Sequence, residues 1–218
     1  MDKRSVSAAV IVYHVFKALY VLFTCIVLWV GFHCCRSFAT LQRGYSSFEV
    51  AILVMALAIF TNDLLSMFGA VSVLKMSHRE DMMQSSDDTF SDSDVTKKAA
   101  FNILGSILNI VEVYLQTLFM FRAVSLEIPD SSQSQYKLYP YFKQVLMYLI
   151  PVNAVFWIVD SFVIHNPETL LNVGLVYFDE DNYSIMTLLL GPFALYYRFN
   201  LCLYYVKIYL TVKPRDVK

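Results

Sequence analysis

The sequence predicts an all-α, polytopic membrane protein, a bundle of about five transmembrane helices, and two observations predict it. Hydrophobic residues make up 57% of the 218 positions and charged residues only 16%, whereas a soluble domain carries about a quarter charged. The apolar residues are also gathered into runs long enough to span a bilayer. A span needs ~20 apolar residues, because the hydrocarbon core is ~30 Å thick and a helix rises ~1.5 Å per residue. Lipid offers no partner to an unpaired backbone group, so the spans are helices, and the short alternating segments of a strand barrel are missing.

Five runs qualify: Ser7–Phe32, Phe48–Leu74, Ala99–Leu126, Phe142–Ile164 and Tyr183–Val212. The first follows Lys3 and Arg4 like a signal peptide, but it is too long for one and lacks a small-residue cleavage site. Residues 1–76 therefore hold two spans, 77–98 form an acidic Ser/Asp-rich disordered loop, and 99–218 form a three-helix region. That loop is dominated by Ser, Asp and Thr, too polar to bury a core. It reads as a solvated spacer or, if cytosolic, as a phosphorylation target.

Several function classes fall away at once. Net charge is −1, so no nucleic-acid partner is expected, since phosphate binding needs a clustered basic face. No cofactor or metal is expected, because no CxxC or His-rich spacing occurs. Nucleophile elbows and phosphate loops are missing too, so the chain is not read as an enzyme. Cys34 and Cys35 follow the first span and suit either palmitoylation or interfacial packing; Cys25 and Cys202 sit in apolar runs as small hydrophobes.

Basic residues divide six to seven between the two membrane faces and do not orient the chain. The loop 165–182 contains Glu168, Asp179, Glu180 and Asp181 without Lys or Arg, and leads into the sequon Asn182-Tyr183-Ser184. This favours an external N-terminus and a cytosolic C-terminus.

Polar groups at membrane depth carry the functional signal, because they are costly and face a bundle interior or a water-filled cavity. In the third span Asn102, Gly105, Asn109, Glu112 and Gln116 recur at steps of three and four, and Phe119 and Ala123 continue the stripe. Two readings stand for it: a close helix–helix interface built on Gly105 and the amides, or a functional path. A carboxyl group at this depth needs either a partner or a proton, which makes Glu112 a candidate proton site. The first span has a parallel stripe of Tyr13, Lys17, Tyr20 and Thr24, with His14 beside it as a pH-sensing candidate or a packing residue. The second holds Asn62, Asp63, Ser66 and Gly69, the fourth Pro151, Asn153, Trp157 and Asp160, and the fifth Pro192, Arg198 and Asn200. Arg198 lies too deep to snorkel and requires a carboxylate; Glu112 and Asp63 both qualify.

Three ordered strings carry a family resemblance: VEVYLQTLFM (Val111–Met120), PVNAVFWIVDSF (Pro151–Phe162) and GPFALYYRFN (Gly191–Asn200). In order and spacing they resemble the C-terminal half of the otopetrin proton channels, from Ala99 onward; the first two spans fit by hydropathy alone. The resemblance implies a proton-selective channel of the plasma membrane working under acid conditions. It also implies subunits of twelve helices in two halves, dimerised into a fourfold-like ring. By carry-over, Glu112, Gln116, Asn153 and Asn200 line or gate the path, and Tyr197 and Arg198 belong to the last-helix motif; Asn109 of the stripe, Asp160 and Arg198 complete the candidate pathway residues. Family members usually have His where this chain has Asn200. Covering the last five helices, the chain is expected to assemble with itself or with a longer otopetrin, conducting or acting as a non-conducting regulatory subunit, with lipid and protons as its other partners.

Overall fold

The computed structural model describes residues 3–36, 38–40, 46–80, 92–127, 138–165 and 180–211; side chains near several helix ends, His14 among them, fall outside that description. Among these residues five helices follow one another: α1 (Lys3–Arg36), α2 (Ser47–Glu80), α3 (Asp92–Val124), α4 (Tyr139–His165) and α5 (Glu180–Thr211). The first four are long and apolar enough to cross a membrane. With 32 residues α5 also has the length to cross one. The protein is a multi-pass membrane protein, in contact with lipid over its outer surface.

Helix α2 runs on to Glu80 and α3 starts at Asp92, so both ends of the expected loop are helical and residues 81–91 lie outside the described residues. Extending a formed helix costs far less than nucleating one. Pro151 lies inside α4 and Pro192 inside α5, and both helices continue through them.

The helices close into a ring. Each has two main neighbours, in the order α1, α3, α2, α5, α4 and back to α1, while α3 also meets α5 across the middle. Side chains turned outward are large and apolar, as Phe16, Trp29, Leu57, Phe68, Phe162 and Leu188 are; in water this surface would be costly, and against acyl chains it is not. Leu28, Phe119, Met120, Phe142, Leu146, Leu149 and Leu201 are buried in the main core with Tyr197 and Tyr205. Cys34 and Cys35 are buried in the same core, so they are packing residues, and their thiols are not available for palmitoylation.

Gly31 lets α1 approach its neighbours closely. A Cβ there would stand 2.7 Å from Phe119 Cε2 and 3.0 Å from Val145 Cγ1. Phe119 is itself fully buried and has nowhere to retreat. Gly31→Ala is expected to destabilise the protein by about 1–3 kcal/mol, the usual cost of overpacking, read as a lower melting temperature in detergent. At the same membrane end a short antiparallel pairing joins β1 (Ala39–Thr40) to β2 (Leu126–Glu127), with Ala39 opposite Glu127 and Thr40 opposite Leu126. It ties the segment after α1 to the segment after α3.

Candidate proton pathway

The stripe on α3 faces the middle of the ring. Glu112, Gln116 and Phe119 are fully buried and Ala123 below them nearly so, while Leu104, Ile107, Val111, Tyr114 and Leu118 point outward. A helix repeats every 3.6 residues, so steps of three and four hold one face. Helix α2 answers with a buried stripe of its own, Glu49, Ile52, Ala56, Ile59 and Asp63, a polar group at either end of an apolar run.

Arg198 of α5 finds Glu112. Its Nη1 donates to Glu112 Oε1 at 2.7 Å and its Nη2 to Oε2 at 2.6 Å, a two-pronged pair in which both side chains are almost wholly buried. The same Nη2 donates to Asn109 Oδ1 at 3.1 Å, and Asn109 Nδ2 donates to Asp63 Oδ2 at 2.6 Å. The second candidate carboxylate is thus joined to the arginine through an amide. The guanidinium also lies over the Phe156 ring, 4.8 Å from its centre, which holds it from the remaining side.

On the other flank, Gln116 Nε2 donates to Glu112 Oε1. Asn153 Nδ2 donates to Gln116 Oε1 and to the Leu149 carbonyl, each at 2.9 Å. Five side chains from α3, α4 and α5 therefore connect to Asp63 of α2 in one line: Asp63, Asn109, Arg198, Glu112, Gln116, Asn153. Among the described residues, Asn153 Oδ1 is the one buried side-chain oxygen or nitrogen that meets no hydrogen-bond partner.

Hydroxyl groups stand around this line. Tyr197 donates to the Val113 carbonyl at 2.9 Å, its oxygen 2.8 Å from Thr117 Oγ1. Thr24 and Tyr148 form a second hydroxyl pair at 3.2 Å between α1 and α4. Tyr148 and Tyr20 are both within electrostatic range of Glu112. At the far end of α2, Tyr204 donates to Glu49 Oε1 at 3.0 Å. Glu49 also accepts from the Ser46 backbone N–H at 3.0 Å, while its own N–H donates to Ser46 Oγ at 3.4 Å. This is a reciprocal helix cap.

Most of the expected residues come together, and some do not. Asn109, Glu112, Gln116, Asn153 and Arg198 meet in the network. Asp160 is half-buried and has no direct bond in it, although Asp63 and Arg198 both feel its charge. Asn200 is turned aside to Met55, its Nδ2 3.7 Å from Sδ. The side chain of His14 lies outside the described residues. Gly105 makes no close interface, since a Cβ there would meet nothing within 4 Å. Asn102 and Asn109 do bridge helices, Asn102 by donating to Ser66 Oγ at 3.0 Å.

The family model of Otopetrin matches residues 1–199. The chain belongs to the otopetrin family. Otopetrins are membrane ion channels rather than enzymes, and the match takes in the first two helices, whose likeness in sequence is one of hydropathy. No curated protein matches the chain. In this otopetrin the buried network occupies the centre of the helix ring, and the match ends one residue before Asn200.

Proposed function

We propose that this otopetrin conducts protons across the plasma membrane under acid conditions, through the network between Asp63 and Asn153. One observation carries the reading. Glu112 is fully buried within a line of side-chain hydrogen bonds that joins four helices, from Asp63 to Asn153. A carboxyl group at that depth needs either a cationic partner or a proton, so Arg198 and a proton compete for it. The two-pronged hold of Arg198 on Glu112 is the resting arrangement. A proton on Glu112 cancels its charge and releases the guanidinium, whose next carboxylates are Asp63, through Asn109, and Asp160. Gln116 and Asn153 order their neighbours without carrying protons, since an amide does not titrate at physiological pH. The hydroxyls of Thr24, Tyr148, Tyr197 and Thr117 supply exchangeable protons beside the carboxylate. The protein works as an oligomer, with itself or with a longer otopetrin.

Expression of the chain alone, with whole-cell recording during an extracellular acid step, tests this. An inward current that survives replacement of sodium by an impermeant cation is expected. A second reading, a non-conducting subunit that regulates a longer otopetrin, is favoured by Asn200, which cannot titrate and stands outside the network. It predicts no current alone and an altered current when a longer otopetrin is present.

A further inference from the structure

Arg198 does more in this geometry than neutralise Glu112, because its N–H groups and those of the amides cover the oxygens that would otherwise face a permeating ion. Glu112 Oε1 accepts from Arg198 Nη1 and Gln116 Nε2, and Oε2 accepts from Arg198 Nη2. Asn109 Oδ1 accepts from the same Nη2, Asp63 Oδ2 from Asn109, and Gln116 Oε1 from Asn153. Asn153 Oδ1 is left as the single buried side-chain oxygen among the described residues without a donor. A metal cation crosses a constriction only where several protein oxygens replace its water shell. Along this line it meets a guanidinium and oxygens that already hold donors, the buried Asn153 Oδ1 excepted. A proton needs no such shell. It binds one lone pair and moves along hydroxyls and waters.

We propose that Arg198 is the selectivity-determining residue of this channel, excluding sodium and potassium by occupying the oxygens of Glu112 and Asn109 with its planar fork until a proton displaces it from Glu112. The assignment rests on the proton-channel reading. Three hydrogen bonds and the Phe156 ring hold Arg198 in this position, and its charge persists at every physiological pH. An ammonium group would keep the charge but lose the fork geometry that covers two acceptors at once.

The deciding variant is Arg198→Lys, which leaves Glu112 a cationic partner and so spares the fold. In proteoliposomes under an acid gradient, wild type is expected to acidify the lumen with radioactive sodium uptake at the protein-free background. Arg198→Lys is expected to raise sodium uptake about tenfold, the factor attached to one charge-assisted hydrogen bond. Arg198→Gln should leak more. Sodium uptake by Arg198→Lys at the wild-type level, with melting temperature retained, would overturn the assignment. Wild-type vesicles that carry no proton flux would remove the channel reading and the selectivity role with it, a separate failure.

Discussion

Glu112→Gln, expressed at the cell surface at wild-type level, is expected to reduce the acid-evoked current to background. The substitution is nearly isosteric, so packing around a fully buried position is kept. The amide oxygen still accepts one N–H from Arg198, which also retains Asp63 within reach through Asn109. What disappears is the group that takes up a proton and releases the arginine. Glu112→Asp should keep a reduced current, since it titrates but draws back from the guanidinium. Recording at matched surface density, with melting temperatures measured in parallel, separates this loss from misfolding. A wild-type current from Glu112→Gln would place the permeating proton elsewhere.

Arg198→Met is expected to have the largest effect on stability. Removing one partner of a buried pair strands the other, at a cost of about 3–5 kcal/mol. For a protein of this length that corresponds to a melting temperature lower by roughly 6–20 °C. The double replacement Glu112→Leu with Arg198→Met removes both charges, and burying two apolar groups in their place should recover most of the loss. Thermal denaturation of the detergent-solubilised wild type, single and double variants forms a closed cycle. A loss in the double variant equal to the sum of the two single losses would mean that the two residues do not depend on each other.

The helical architecture and half of the network are legible in the amino-acid sequence. Glu112, Gln116 and Asn109 share a face because the helix period imposes it, and apolar neighbours on every other side make the polar face conspicuous. The partner of Arg198 is not legible: Glu112 and Asp63 are both acidic, both at membrane depth, and tertiary packing alone decides which one touches. The structure uses both, one directly and one through Asn109. Gly105 and Asn200 depart from expectation for related reasons. A glycine in a polar stripe predicts close approach only if a neighbouring helix crosses there, and a residue in a family motif keeps its register while its side chain turns to Met55. Glu49 joins the buried polar groups from the end of a span rather than its centre; its one signal in the sequence is the Ser46–Glu49 spacing of a reciprocal cap. Tyr204, its other partner, is one tyrosine among several in α5, and only the ring order shows that α5 stands beside α2 at that end.

The small antiparallel pairing of residues 39–40 with 126–127 bears on how such a bundle could open. It fastens α3 to the exit of α1 at one membrane face, so α3, the helix that carries Glu112, cannot slide along its axis like a piston without tearing ladder bonds. Rocking remains available, with the stitched face as fulcrum and the opposite ends of the rods sweeping the wider arc. Asp63 and Asn109 lie on that travelling side of Glu112, Gln116 and Phe119 nearer the pivot, so widening would begin where the acids gather and fade toward the aromatic floor.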